Sequence, residues 1–378
     1  MKRILIALLA VSMVLCGCQT NSAPAQTTTA PTQPTTDITT APTTEVTTAP
    51  TTEPATVPTE PPVLYRSPLT GEPISEPMTT RPVAVVINNI RAAQPLHGIG
   101  QADVLFEIVA EGGGSITRCL AIYSDLGSVE KVGSIRSART YLIDLARAFR
   151  APLIHCGASE YAYEDMKNNS YAHIDEMYNS AYFYRDKDRQ NAGYSSEHTL
   201  FANGEKLMQA IEKKNYNMVN EGGTDFGLTF SDYVNLYGAP ASQIAFTFNR
   251  YDSGKYTYMT YDPETGAYYG SQRWRNSKGE LGNPRDLADA NTGEKVPYRN
   301  VLILYAKTTT DGYRMFAELT GEGTGYFACG GQIVPIKWSR SSLSNPFAFT
   351  LEDGTPVTLG VGKSYIGVLS RNCPVEYE

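Results

Sequence analysis

The chain of 378 residues lacks the short motifs by which metal, redox and nucleotide sites are usually recognised. Its four histidines, at positions 97, 155, 173 and 198, show no metal-ligand spacing such as HxxxH. Its six cysteines include no CxxC pair, so neither a zinc site nor a thioredoxin-like redox pair is indicated. The glycine run at 112–114, which is followed by Ser115, does not continue into Gly-Lys-Ser/Thr, and this favours a hairpin turn over a phosphate-binding loop. No metal and no cofactor is therefore predicted.

Basic clusters and long apolar runs are also missing. The net charge is −7 and no stretch concentrates lysine or arginine, so nucleic acid is not an expected partner. The apolar run from Ile4 to Leu15 is too short to span a bilayer. It follows Lys2 and Arg3, and this order is typical of a bacterial export signal.

The end of that signal predicts a lipid anchor. A lipoprotein signal peptidase needs a small residue just before the cysteine and a branched apolar residue three positions before it; Gly17 and Leu15 meet this requirement for Cys18. The alternative is an ordinary secretory signal with incidental cysteines. We predict that residues 1–18 are a lipoprotein signal peptide and that acylated Cys18 holds the protein on the outer face of the cell membrane.

Residues 19–62 are almost all Thr, Pro, Ala and Glu, and the unit TTAPTTE occurs twice, at 39–45 and 47–53. Such a segment cannot bury enough apolar surface to offset its chain entropy. We predict a disordered Thr/Pro-rich linker that is extended where it is polyproline-like and could hold a domain about 100 Å from the membrane.

The remaining part, roughly 310 residues, is long enough for two domains. Residues 63–237 are predicted to form an α/β (or α+β) domain with a mixed sheet and flanking helices, since apolar strand patterns alternate there with helical periodicity. Residues 238–378 consist of short alternating segments separated by turn signals, which predicts a mainly antiparallel β domain. Its aromatic residues could stack on sugars, although core packing is the more usual role. These aromatics include Tyr268, Tyr269, Trp274 and Trp338.

The four cysteines beyond the linker, Cys119, Cys156, Cys329 and Cys373, are interpreted as thiols, because a domain of this size does not need disulfides. A Cys329–Cys373 bond is left open.

The hairpin formed by 103–110 and 116–123 carries the most closely spaced charges. If the turn is residues 112–115, Val109 lies opposite Arg118, so Arg118 falls diagonally between Glu107 and Glu111, about 7–8 Å from each. A slip of one residue would move Arg118 to the other face. The two glutamates are about 13 Å apart along the strand, whereas the carboxylates of glycosidases stand about 5–9.5 Å apart. They are therefore not by themselves an acid/base couple.

Arginines follow at the start of a predicted helix. Arg136 and Arg139 would stand one turn apart there, where the helix dipole is also positive, with Ser134 or Ser137 as the N-cap. This arrangement is a candidate site for phosphate, carboxylate or an acidic glycan; the alternative is that these arginines pair with nearby acids, namely Glu107, Glu111 or Asp144. The helix is predicted from apolar residues at helical spacing: Ile135, Ala138, Leu142, Leu145 and Phe149.

Two further residues complete the set of candidates. His155 lies in a predicted buried strand, where the adjacent Cys156 points to the opposite face, so a Cys–His couple between them is excluded. His155 could be a core histidine or part of a site, and Asp103 begins the second strand of the sheet. The candidate ligand-binding residues are Asp103, Glu107, Glu111, Arg118, Arg136, Ser137, Arg139 and His155.

The ordered string of polar residues in this region resembles the YerB-like lipoproteins of Gram-positive bacteria, a two-part family of unknown function. The chain departs from the family pattern at Ser134, where the family has Pro, at 197–199, where it has Pro-His-Asn, and at Tyr365, where it has Trp; the second departure puts a role for His198 in doubt. The resemblance implies a lipid-anchored envelope protein and supplies no reaction. The matching residues are 101–103, Glu107, 111–113, Thr117, Arg118, Gly133, 135–139, His155, Gly157, Asn300, Val301 and Trp338.

These observations favour an extracytoplasmic lipoprotein that binds an anionic envelope ligand, such as a cell-wall glycan or peptide carboxylate, at Arg118, Arg136 and Arg139. A second hypothesis is a hydrolase or transferase of envelope polymers, using Glu107 or Glu111 with His155 or Asp103. A third is a non-catalytic adaptor that regulates wall-synthesis enzymes. Whether the charged candidates converge on one open pocket distinguishes a site from a set of structural ion pairs.

Overall fold

The structure, a computed structural model, describes residues 65–111, 116–249 and 254–378. The predicted signal peptide with Cys18, the predicted linker and the hairpin turn at 112–115 lie outside the described residues. The described residues all belong to one compact unit. The predicted boundary between residues 237 and 238 stays a prediction, and strands from both sides of it share a sheet.

The first half of the described chain alternates short strands with helices. Its helices are α1 (Thr140–Ala148), α2 (Glu160–Asn168), α3 (Glu176–Asn179), α4 (Lys187–Asn191) and α5 (Gly204–Lys213). Its strands are β1 (Tyr65–Arg66), β2 (Pro73–Ile74), β3 (Val83–Asn89), β4 (Val104–Glu111), β5 (Ile116–Tyr123), β6 (Val132–Gly133), β7 (Leu153–His155), β8 (His173–Asp175), β9 (Phe183–Arg185) and β10 (Leu200–Ala202).

The second half is built from strands. They are β11 (Phe230–Ser231), β12 (Ala239–Pro240), β13 (Gln243–Phe246), β14 (Lys255–Asp262), β15 (Ala267–Trp274), β16 (Arg285–Asp286), β17 (Pro297–Tyr298), β18 (Asn300–Thr310), β19 (Met315–Glu318), β20 (Gly321–Cys329), β21 (Gln332–Arg340), β22 (Ala348–Leu351), β23 (Leu359–Gly360), β24 (Ser364–Ser370) and β25 (Val375–Tyr377). The predicted fold class, a mixed sheet with helices followed by mainly antiparallel strands, is confirmed.

One sheet joins the two halves. Within the described residues it has 12 strands, with the main order β12-β21-β20-β18-β24-β4-β5-β3-β7-β8. Strand β24 lies between β18 and β4 and is parallel to both, and every one of its residues is buried. A continuous apolar strand in this position is expected, because a central strand is covered on both faces.

A second sheet, of 6 strands among the described residues, has the main order β16-β15-β14-β13-β25. Strands β14 and β15 alternate between buried and more exposed residues, so one face of this sheet packs inward and the other is partly exposed. Tyr268, Trp274 and Trp338 are buried, which confirms core packing for these three aromatics; Tyr269 is partly exposed.

Helix α1 starts later than the sequence predicts. The segment 134–138 is extended, because its backbone bonds to β3 on one side and to β10 on the other. The Asn88 amide donates to the Ser134 carbonyl at 2.9 Å and the Arg136 amide to the Val86 carbonyl at 3.0 Å, while the Ile135 amide donates to the Leu200 carbonyl at 2.8 Å. Arg139 is the N-cap of α1 and makes no side-chain cap bond. The predicted serine N-cap and the placement of Arg136 in the helix are therefore wrong. Backbone pairing with β3 and β10 overrides the local helical periodicity.

Helices α2 and α5 each begin at a residue whose side chain caps the helix. The Ser159 hydroxyl accepts from the Ala162 amide and the Asn203 side chain from the Lys206 amide. No helix in the part of the chain that the structure describes is long and apolar enough to cross a membrane. Cys119, Cys156 and Cys329 are thiols, so the bond from Cys329 to Cys373 is not formed.

Candidate functional site

A β-bulge separates the two glutamates of strand β4. The β4–β5 pairing is regular up to Val109 opposite Thr117, and the next pair is Glu111 opposite Ile116, so Ala110 is an extra residue. Arg118 lies opposite Ile108, not Val109. Because side chains alternate along a strand, the bulge turns Glu111 to the face of Arg118 and leaves Glu107 on the other face. The prediction that Arg118 lies between Glu107 and Glu111 is wrong.

Glu107 is the centre of a buried polar cluster between the two sheets. Its Oε1 receives bonds from the Lys255 ammonium at 2.5 Å and the Thr117 hydroxyl at 2.7 Å. Its Oε2 receives bonds from the Gln272 amide and the Tyr365 hydroxyl, each at 2.7 Å. Glu107 and Lys255 are both fully buried. We call these five residues the Glu107 cluster.

The Glu107 cluster has a structural role and not a catalytic one. Burial lowers the pKa of Lys255, while the charge of Glu107 acts in the opposite direction. A general acid or base must reach a substrate proton, and the Glu107 carboxylate is enclosed by its four donors. Neither Asp103 nor His155 is among its partners. The geometry therefore argues against the predicted hydrolytic pairing through Glu107.

Glu111 gathers two arginines on the opposite face of β4. Arg118 Nη2 lies 3.0 Å from Glu111 Oε1, and Arg139 forms an ion pair with the same oxygen. The Tyr313 hydroxyl donates to Glu111 Oε2 at 3.3 Å. Arg118 also donates to the backbone oxygen of Ser137 at 2.9 Å, so the role of Ser137 comes from its backbone.

Arg136 lies near Arg118 and pairs with a more exposed carboxylate, that of Glu197. It donates to Glu197 Oε2 at 2.9 Å, and the side chains of Arg136 and Glu197 are 25% and 49% exposed. Burial lowers the pKa of Arg118 to about 10, and the nearby charge of Arg136 acts in the same direction. We call Arg118, Arg136 and Arg139 the arginine cluster; three guanidiniums there face the carboxylates of Glu111 and Glu197.

Two donors of the arginine cluster are unused. The Nε atoms of Arg136 and Arg139 are buried and have no hydrogen-bond partner among the described residues. Buried polar atoms are paired in most proteins, because an unmade bond carries a desolvation penalty of about 1–3 kcal/mol. The cluster therefore has both an excess of positive charge and spare donors, which is the arrangement that an added anion would complete.

The other candidates lie apart from both clusters. Asp103 is buried ahead of β4, where it accepts from the Ser124 amide at 2.6 Å, and burial raises its pKa. His155 is also buried, with Nδ1 2.8 Å from the Gly157 oxygen and Nε2 2.9 Å from His173 Nδ1. The predicted candidates thus occupy separate places, and Glu111, Arg118, Arg136, Arg139 and the Ser137 backbone are the ones brought together.

Protonation of His155 gives a testable pH dependence. Burial lowers its pKa to about 4, against about 6.5 in an unfolded chain. Between these values the unfolded state binds a proton that the folded state does not, so His155 reduces stability as the pH falls. Relative to His155→Gln, the wild type should lose about 2 kcal/mol of unfolding free energy between pH 7.5 and pH 5. Urea unfolding at both pH values measures this, and parallel losses in the two proteins would contradict it.

Several residues of these clusters carry no motif and were not predicted. Lys255 and Gln272 are distant in sequence from Glu107 in the hairpin, and Glu197 is distant in sequence from Arg136. A signal existed for Lys255, which lies at the same alternate positions as Thr257 and Met259, on the buried side of β14. A lysine in the apolar phase of a strand indicates a buried carboxylate partner. Among the described residues, no group of three or more His, Cys, Asp or Glu could hold a metal ion.

Comparisons with known proteins match the chain to two family models, one for each part. The model described as "Protein of unknown function (DUF3048) N-terminal domain" matches residues 69–217, and the corresponding C-terminal domain model matches residues 246–366. "Putative lipoprotein YerB" of Bacillus subtilis (strain 168) is 28% identical over 313 residues, which are 80% of this chain and 86% of that protein. The crystal structure of YerB protein from Bacillus subtilis is similar with a TM-score of 0.67 at 24% identity, covering 82% of this chain and 99% of that chain.

Proposed function

Because the chain belongs to the YerB-like family, whose two DUF3048 domains it contains, we propose that it is a lipoprotein on the outer face of the cell membrane. There it binds an anionic ligand of the cell envelope. The anchor is Cys18, and the linker at 19–62 carries the folded part into the envelope. The name of the Bacillus subtilis relative, a putative lipoprotein, supports the anchor. The ligand site is the arginine cluster.

The observation that carries the proposal is the pair of buried, unpartnered Nε atoms of Arg136 and Arg139. An arginine whose Nε–H is unused can form the bidentate contact that suits carboxylate and phosphate. The ion pair of Arg139 with Glu111 positions one guanidinium, and the bond of Arg118 to the Ser137 oxygen fixes the segment that carries Arg136. A ligand oxyanion would meet donors that are already oriented.

Glu197 occupies Arg136 when no ligand is bound and can be replaced by a ligand anion. Its carboxylate is about half exposed and pairs with Arg136 from a separate turn of the chain. Exposed ion pairs contribute about 0–1 kcal/mol, so a ligand carboxylate or phosphate can replace Glu197 at little cost. In this account Glu197 holds the place of the ligand anion, competes with it and sets a threshold for binding.

Arg136→Gln tests the proposal with little risk to folding, because Arg136 is partly exposed and its ion pair is with the half-exposed Glu197. Loss of one charge-assisted contact is expected to weaken binding about tenfold. Cosedimentation of the full chain with Gram-positive peptidoglycan sacculi measures this, with one batch retaining the phosphodiester-linked wall polymers and one stripped of them. The stripped batch distinguishes a peptide carboxylate from a polymer phosphate as the ligand.

The matched control is Lys337→Gln, which removes one exposed cation of β21 and changes the net charge equally. It should bind sacculi as the wild type does at every salt concentration. Equal binding by Arg136→Gln and the wild type would show that the arginine cluster is not the site. Equal losses in both variants would show a response to net charge alone.

A further inference from the structure

A second cationic site lies at the other end of α1. A cavity of about 460 Å³ is lined there by three arginines and three asparagines, and this volume is within the usual range for small-ligand sites. Arg139 precedes α1 and Arg150 follows it, so the cavity stands about 16 Å along the helix axis from the arginine cluster. The lining residues used below are Arg81, Arg147, Arg150, Asn217 and Asn220.

Arg150 occupies a backbone position that usually belongs to glycine. Its φ is +54°, and the Ala151 amide bonds to the Ala146 carbonyl at 3.0 Å, the closing bond of a helix C-terminus. A side chain there costs conformational energy. The guanidinium is nevertheless held, since its Nε donates to Asn220 Oδ1 at 3.1 Å and it lies 4.7 Å from the centre of the Phe226 ring.

Arg81 and Arg150 are charges held by neutral groups. Arg81 donates to the backbone oxygens of Arg150, at 2.5 Å, and Asn217, at 2.7 Å. Neither arginine has a carboxylate ion pair within the described ranges, whereas Arg147 pairs with both Asp144 and Asp165. Burial lowers the pKa of Arg81, and the charge of Arg150 acts in the same direction, as expected for two cations close together.

The same cavity offers a neutral donor. Asn220 Nδ2 is buried and has no hydrogen-bond partner among the residues described. Glu221, the carboxylate on the cavity wall, is exposed and accepts from Asn217 Nδ2 at 2.9 Å. The cavity thus combines two cations that have no carboxylate ion pair, an unused amide donor and one acid that already bonds to Asn217.

We propose that this cavity binds an oxyanion between Arg81 and Arg150, as the carboxylate or phosphate of a small polar molecule or of a polymer end. The anion would offset the repulsion between the two guanidiniums and accept from Asn220. Asn169 and Asn217 provide polar contacts for the rest of the molecule. This site is separate from the arginine cluster and does not depend on the function proposed for it.

Isothermal titration of the full chain with two probes tests the proposal: inorganic phosphate, and N-acetylglycine with its amide as the neutral counterpart. The wild type should bind at least one anionic probe and not the amide. Arg81→Gln and Arg150→Gly should each weaken this binding at least about tenfold, since charge-assisted bonds are lost. Glycine suits the backbone at position 150, and melting temperatures confirm that each variant is folded.

Arg136→Gln should leave unchanged the component of binding that Arg81→Gln and Arg150→Gly remove, so failure here is distinguishable from failure at the arginine cluster. Phosphate binding alone assigns the site to phosphate groups, and N-acetylglycine binding alone assigns it to carboxylates. Equal binding of both anions by the wild type and the two folded cavity variants, or the absence of binding by either anion at about 10 mM, would overturn the proposal and leave the two arginines a structural role.

Discussion

Replacing Lys255 by methionine is expected to lower the free energy of unfolding by about 3–5 kcal/mol, one of the two largest effects predicted for a single change in this protein. Glu107 and Lys255 are fully buried and 2.5 Å apart. Methionine fills a similar volume, so the loss measures the unpaired carboxylate more than a cavity. The remaining donors to Glu107, which are Thr117, Gln272 and Tyr365, do not supply a positive charge.

The double variant Glu107→Gln/Lys255→Met separates charge from packing. It removes both charges and leaves a glutamine that can still accept from Tyr365, so it should be more stable than Lys255→Met alone. Urea unfolding at pH 7 measures the free energy of unfolding of the wild type, of Lys255→Met and of the double variant. Lys307→Met is the matched control, because Lys307 pairs with Glu318 at the surface and should cost less than about 1 kcal/mol. Equal costs for Lys255→Met and Lys307→Met would refute the structural role of the Glu107 cluster.

Replacing Glu111 by alanine is expected to cost a similar amount, about 3–5 kcal/mol, since it leaves the buried guanidiniums of Arg118 and Arg139 without their shared carboxylate. This variant has a further property. The removed side chain vacates space beside two cations, so acetate should enter and restore part of the stability. We expect acetate at about 100 mM to raise the melting temperature of Glu111→Ala more than that of the wild type.

Glu318→Ala is the matched control for this experiment, because its carboxylate pairs with Lys307 at the surface. It should lose little stability and should respond to acetate as the wild type does. Sodium chloride at the same ionic strength separates a specific anion from general screening. If acetate and chloride stabilise Glu111→Ala equally, the vacated position does not recognise a carboxylate.

Much of the fold could be predicted from apolar patterning. The strands Val104–Glu111 and Ile116–Tyr123 occur where the sequence indicates them, because buried strands need continuous or alternating apolar residues. The start of α1 could not be predicted. Residues 134–138 have helical spacing, but their backbone bonds to Val86 and Asn88 are long-range contacts that local periodicity does not contain.

The candidate site was predictable in its residue types and not in its geometry. Arginines and glutamates were identified together, yet their sorting onto two faces depends on the extra residue Ala110. One extra residue in a strand moves the side chains of all later residues to the opposite face of the sheet. The sequence alone does not show where the bulge lies. Lys255 and Glu197 contact their partners from 148 and 61 residues away, and such long-range contacts depend on the tertiary fold.

The most direct test of anion binding by the arginine cluster is the affinity of Glu197→Gln for sacculi, measured beside Arg136→Gln under the same conditions. If Glu197 holds the place of the ligand, removing its charge should tighten binding, while Arg136→Gln weakens it; the two changes have opposite signs although each alters one partner of the same ion pair. Weaker or unchanged binding by folded Glu197→Gln would contradict this proposal, because Glu197 would then stabilise the position of Arg136 and would not compete with the ligand for it.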